Sequence, residues 1–151
     1  FSIKIIGDGP MRKVVEEASK AFSNIEFLGH INSKIELFDL FCQSDVQILF
    51  SKKTKENNWE ELFGMVIVEA MYCGVATIST SHAGPKSIID DRINGFLIDE
   101  NKCIEEATKI LKERFFKDKK FIANTQNKAQ QFYKNNLVKK WAVILDNYVE
   151  L

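Results

Sequence analysis

The residues best equipped for chemistry are two carboxylates set at one end of an apolar run. In Glu60-Glu61-Leu62-Phe63-Gly64-Met65-Val66-Ile67-Val68-Glu69-Ala70-Met71-Tyr72-Cys73-Gly74, Glu61 precedes the run and Glu69 interrupts it. The apolar spacing predicts a helix over 63–73 that Gly74 ends. A carboxylate inside a helix buried between a sheet and its neighbours is costly unless something satisfies it, and a pair of ligand hydroxyls would do so. Glu61 stands before the helix. There its charge and the free backbone N–H groups of Phe63, Gly64 and Met65 gather at the positive end of the macrodipole. Such an end suits a phosphate, and Gly64 lets a ligand approach the backbone closely. The competing reading makes Glu61 a capping charge and Glu69 a core carboxylate satisfied by protein groups.

These residues need a scaffold, and the rest of the chain describes one. Ser2-Ile3-Lys4-Ile5-Ile6 reads as a strand, Gly7-Asp8-Gly9-Pro10 breaks it, and Pro10 suits the first turn of a helix that runs to about Phe22. Ile25–Leu28 is a second strand ending at Gly29. Ser33 can cap a helix whose apolar positions Ile35, Leu37, Phe38, Leu40 and Phe41 crowd one side. Val46–Phe50 is a short, mostly apolar strand of the kind covered on both faces, and Val75–Thr80 is the fourth strand. His82–Pro85 opens a short helical turn, Asn94-Gly95 marks another turn, and Phe96–Ile98 is a last strand.

Alternating strands and helices imply an α/β fold: a Rossmann-like open parallel sheet with helices on both faces. Ligands bind such sheets beyond the carboxyl ends of the strands, which points to the loops at Gly7, Gly29, 51–64 and 81–85. The segment from about 101 to 151 is charged and amphipathic, with Phe121, Phe132, Trp141, Ile144, Leu145 and Tyr148 available to pack on the sheet. We expect residues 1–151 to form one domain.

Composition removes several function classes. Lys plus Arg equals Asp plus Glu at 21 each, so no net field draws in a nucleic acid. No run of roughly 18 apolar residues, the least a membrane-spanning helix needs, is present. Cytoplasmic location is the expectation. Cys42, Cys73 and Cys103 are odd in number and widely spaced, and read as buried thiols. With only His30 and His82 beside them they assemble no local cluster, so neither a metal nor another cofactor is expected. Gly7-Asp8-Gly9 suggests a dinucleotide fingerprint, but Arg12 stands where the third glycine belongs. Lys52, Lys53 and Lys55 form either a phosphate contact or a solvated loop, and His82 either faces a ligand or is a plain turn residue.

Glu61, seven intervening residues and Glu69, inside E-L-F-G-M-V-I-V-E-A-M-x-C-G, resemble the E-x7-E signature of retaining glycosyltransferases with the GT-B fold (family 4, glycosyltransferase group 1). Further matches follow in order: I-I-G-D-G-P at Ile5–Pro10, F-L-G at Phe27–Gly29, S-D-V at Ser44–Val46, Ser51, and G-P-K-x-I-I with N-G-F-L-I between Gly84 and Ile98.

That resemblance implies a donor-binding half, in which the substrate is a nucleotide sugar of the UDP class and no metal is required. Glu61 would contact the donor sugar's hydroxyls and Glu69 the ribose. Amides of Phe63, Gly64 and Met65 would face the distal phosphate or sugar, and main-chain groups near His30 and Ile31 would face the base. The leaving phosphate would help deprotonate the incoming hydroxyl of a glycan or lipid-linked acceptor. The full-length enzyme would be a hexosyltransferase acting in the cytoplasm, free or peripheral on a membrane. Ser87 departs from the family's usual Glu. The match also begins after the family's opening strand and its Arg and Lys, and lacks the N-terminal acceptor-binding domain, so the isolated chain is expected to have little or no transferase activity. In the strand order 3-2-1-4-5-6 the absent strand is central, which would leave the strands at Ile3–Ile6 and Val46–Phe50 without the neighbour between them. Two other functions suit the same fold: a non-catalytic nucleotide-sugar-binding module, and a sugar-nucleotide epimerase.

Overall fold

The computed structural model describes residues 1–52 and 61–133. Lys53, Lys55, Trp59, Trp141, Ile144, Leu145 and Tyr148 lie outside the described residues, as does the end of the helical segment beyond 133. The chain contacts divide it into two compact units, Phe1–Asp39 and Leu40–Leu151.

In the first unit, β1 (Ile3–Ile6), α1 (Arg12–Ala21) and β2 (Ile25–Gly29) form one strand–helix–strand repeat. The strands pair in parallel from Ile3 against Ile25 to Ile5 against Phe27, and the register then slips so that Ile6 meets Gly29. Gly29 has φ +65 and its carbonyl accepts from the Gly7 amide at 2.8 Å, a backbone that a side chain would strain. The helix starts at Arg12 and not in the turn after Pro10, because Gly9 and Pro10 close a turn in which the Arg12 amide donates to the Gly9 carbonyl. Arg12 bridges Asp8 at 2.7 Å and Glu16 at 2.8 Å, and its guanidinium lies 5.4 Å from the Phe27 ring centre. No apolar side chain of this unit is fully buried.

Helix α2 (Lys34–Cys42) runs across the boundary between the units. Ser33 caps it as its sequence suggests, with Oγ accepting from the Glu36 amide at 3.2 Å. Of its apolar positions only Phe41 is buried, while Ile35 and Phe38 stay exposed.

The second unit is built on three parallel strands in the order β3-β4-β5, with β3 Val46–Leu49, β4 Ala76–Thr80 and β5 Phe96–Ile98. Every residue of β4 is buried. A strand's side chains alternate between faces, and here the alternation feeds two cores. Ala76, Ile78, Phe96 and Ile98 pack with Ala107 and Ile110 of α5 (Cys103–Glu113), and Phe121 joins them. On the other face Leu49 and Leu97 meet Ile67 and Met71 of α3 (Met65–Tyr72), Ile88 of α4 (Ala83–Ile88) and Ala129. Phe121 and Ala129 both belong to α6 (Lys119–Gln130), which Asp118 caps through bonds from the Lys120 and Phe121 amides at 2.7 and 3.2 Å. Helices therefore cover both faces of a parallel sheet, as the strand–helix alternation implies.

The hydroxyls of β4 would be costly in such a place without partners. Thr77 donates to the Gln47 side chain at 2.9 Å, Ser79 to the Leu49 carbonyl at 3.1 Å, and Thr80 to the Ser51 carbonyl at 2.8 Å. Gln47 in turn donates to the Val66 carbonyl at 3.2 Å, which ties β3 to the first turn of α3. Parallel pairing thus occurs in two pieces, β1 with β2 and β3 with β4 and β5. Among the described residues neither β1 nor β3 has a second partner strand.

Candidate functional site

The site grows from the amino end of α3. Gly64 occupies the N-cap position in the left-handed region at φ +82, and a Cβ there would stand 2.8 Å from Ile67 Cδ1. This turn swings the chain so that the Gly64 amide donates to Glu61 Oε1 at 2.9 Å, with the Phe63 amide at 3.4 Å from the same oxygen. Glu61 is therefore a cap for its own helix. Oε2 receives no hydrogen bond from the described residues. The first amides of α3, at Met65 and Val66, have no intrahelical acceptor by the geometry of any helix start.

Helix α3 turns Ile67, Ala70 and Met71 into the core. Glu69 lies four residues from Met65 and three from Tyr72, and so on their side of the helix. Met65 is 58% exposed and Tyr72 51%, while Glu69 is half-buried. The expectation of a carboxylate enclosed in a fully buried helix is thus corrected: the 3.6-residue period puts one face against Ala129 and the sheet and leaves the Glu69 face open. Phe63 is partly exposed and meets the Phe132 ring edge-on at 6.2 Å between centroids.

Five of the residues singled out from sequence, Glu61, Phe63, Gly64, Met65 and Glu69, share this one helix and its entry turn. His30 and Ile31 belong to the first unit, directly after Gly29, with His30 exposed and Ile31 half-buried.

His82 is buried at the N-cap of α4. It is 3% exposed, its Nε2–H donates to the Ser51 carbonyl at 2.9 Å, and the same nitrogen lies 3.4 Å from Glu100 Oε2. Beside it a cleft of about 480 Å³ opens beyond the carboxyl ends of β4 and β5, lined by Ser81, His82, Lys86, Leu97, Ile98, Asp99 and Glu100. Asp99 and Glu100 escaped the sequence reading. The signal was available, since both directly follow the last strand, where the open-sheet rule places ligands. Ser87 donates to the Gly84 carbonyl at 2.7 Å and so serves its own helix turn.

The thiols expected to be buried are not uniformly so: Cys42 is exposed and Cys73 and Cys103 are half-buried. Burial pushes the Cys73 thiol up to about 12, and its hydrogen-bonded neighbour Cys42 adds to the rise. Among the described residues no three His, Cys, Asp or Glu side chains converge in a group that could hold a metal ion. No helix of the described residues is long and apolar enough to cross a membrane.

Comparison with known proteins agrees with this architecture. The uncharacterized 41.2 kDa protein in the cps region of Klebsiella pneumoniae is 31% identical over 153 residues, covering 98% of this chain and 38% of that protein. The apo form of the lipopolysaccharide outer core galactosyltransferase WaaB gives a TM-score of 0.76 at 19% identity, over 99% of this chain and 41% of that one. The pneumococcal O-GlcNAc transferase GtfA, in complex with UDP and GlcNAc, gives 0.72 at 20% identity, over 99% of this chain and 30% of that one. These likenesses establish the fold as that of the GT-B glycosyltransferases. The family model for glycosyl transferases group 1 matches residues 1–135, and the chain belongs to that family. It spans well under half the length of the relatives named.

Proposed function

We propose that residues 1–151 form the nucleotide-sugar-binding domain of a retaining hexosyltransferase, with the amino end of α3 as the seat of the donor. One observation carries this reading: the Glu61 carboxylate is held by one oxygen on the Phe63 and Gly64 amides while the other takes no bond from the described residues. A carboxylate fixed in this way is preorganised to receive a pair of sugar hydroxyls without a further loss of rotamer freedom. Because those two amides serve Glu61, the donor's distal phosphate falls to the amides of Met65 and Val66 and to the positive end of α3. Glu69, one helical turn beyond Met65, takes the ribose hydroxyls.

GtfA, a relative in fold, is complexed with UDP, which supports a UDP-sugar as the donor class here. In the reaction the bond from the anomeric carbon to the leaving phosphate breaks as the bond to the acceptor oxygen forms on the same face. The acceptor's proton passes to the departing phosphate. Glu61 orients the sugar and does not attack it. Backbone amides and helix dipole, not a metal ion, take up the developing diphosphate charge. The acceptor is a glycan or lipid-linked sugar held by an acceptor-binding domain of the full-length enzyme, which works in the cytoplasm or peripherally on a membrane.

Calorimetry with UDP and UDP-sugars tests the assignment. Glu69→Ala should weaken UDP binding at least about tenfold, the size of one lost charge-assisted hydrogen-bonding group. Unchanged affinity would remove Glu69 from the site.

A further inference from the structure

Gly84 stands at the second position of α4, two residues after the buried His82. Its amide donates to the Glu61 carbonyl at 2.9 Å. A Cβ built on Gly84 would lie 2.4 Å from the Phe63 nitrogen, 2.6 Å from the Leu62 carbonyl carbon and 2.7 Å from the Phe63 Cα. All three are backbone atoms, so no rotamer change relieves the overlap. The φ of Gly84 is not in the left-handed region, so the backbone conformation itself does not demand glycine there. What demands it is the passage of another chain segment at van der Waals contact.

The segment that passes is the one between Glu61 and Gly64, whose carboxylate and amides make the cap described above. From this juxtaposition we infer that Gly84 is a positioning residue for Glu61: the bare α-carbon sets how deeply the entry turn of α3 sits against α4, and the Gly84 amide fixes its register through the Glu61 carbonyl. The support beneath Gly84 is rigid. Its carbonyl accepts from Ser87 Oγ at 2.7 Å, and the preceding His82 is bonded to the Ser51 carbonyl at the end of β3. A methyl group at 84 must push the Leu62–Phe63 backbone away by roughly 1 Å to reach ordinary contact distance. The Phe63 amide is already at 3.4 Å from Glu61 Oε1, so such a shift detaches it and frees the carboxylate to rotate.

The inference rests on the donor-orienting reading of Glu61, and its test separates the two. Backbone amide signals of Phe63 and Gly64 are followed by NMR in the wild-type protein, Gly84→Ala, Ser87→Ala and Glu61→Gln, and calorimetry gives the preference for UDP-sugar over UDP in each. Gly84→Ala should displace both amide signals, lower that preference about tenfold and leave UDP affinity within about threefold, since misplacement by an ångström acts on the oriented group and not on the nucleotide. In a double-mutant cycle, Gly84→Ala should add little once Glu61→Gln is present. A folded Gly84→Ala with unmoved Phe63 and Gly64 amides overturns the inference. So does a preference that falls in Glu61→Gln but holds in Gly84→Ala. If Glu61→Gln leaves the preference intact, the donor reading of Glu61 fails, and the positioning role toward the sugar fails with it. Should Gly84→Ala not fold, the exposed Ser87→Ala decides: it should move the same two amide signals and lower the preference about two- to threefold, and no movement overturns the inference.

Discussion

Strands β1 and β4 are close in length and opposite in fate. Both are short and rich in isoleucine or small β-formers, and both are followed by a turn into a helix. Yet β4 is buried throughout, while Ile3 and Ile6 of β1 are 45% and 38% exposed. The difference lies in neighbours, since β4 is paired on both edges and covered on both faces, whereas among the described residues β1 pairs with β2 alone. A strand's own residues thus license burial without deciding it. Two covered faces make a core. One repeat with a single pairing makes a surface-rich unit in which an ion-paired Arg12 over Phe27 is the most elaborate contact.

Substitution at matched positions should break or uphold this contrast most clearly. Ile78→Ala in β4 should cost about 2–5 kcal/mol in urea unfolding, the range for a large aliphatic removed from a sealed core. Ile3→Ala in β1 should cost less than about 1 kcal/mol. Equal losses would mean that β1 is as enclosed as β4.

A chemical probe sharpens the same comparison at the far end of α3. With its thiol pushed up to about 12 from an ordinary 9.0, Cys73 at pH 8 should be alkylated more slowly in the folded protein than in urea, because the thiolate fraction falls by more than the thiolate's nucleophilicity rises. The sign for stability follows from the same shift. The raised value contributes stability that is complete below pH 9 and is lost as pH rises toward 12. Folded-state alkylation at the urea rate would place the thiol in solvent. The smallest effect is expected at the α6 cap, where Asp118→Ala should lower stability by about 1 kcal/mol, read as a shift in the unfolding midpoint.

Much of this was legible in the chain because it is local. Gly29, Ser33 and Gly74 punctuate the elements where they were expected to, and the E-x7-E spacing leads to a helix whose entry turn holds Glu61. The capping alternative for Glu61 is visible in its bonds from the Phe63 and Gly64 amides, since a carboxylate three residues before an N-cap amide can reach it with no tertiary help. What escaped depends on partners far along the chain. Glu69 was read as enclosed because the open side of α3 is defined only when Ala129 and Ile88 claim the other side. The cleft residues Lys86, Asp99 and Glu100 meet only through the parallel pairing of β4 with β5, a contact between segments about twenty residues apart. Likewise, nothing in Thr77 or Ser79 alone announces that Gln47 and the Leu49 carbonyl will accept their hydroxyl protons.

Helix α6 sends Phe121 into one core and Ala129 into the other. The two layers of the second unit therefore share a single clasp. Loosening it, by proteolysis after 118 or by a proline in its middle turn, would uncover both sides of the sheet at once, so the layers should melt as one cooperative body and not peel away in sequence.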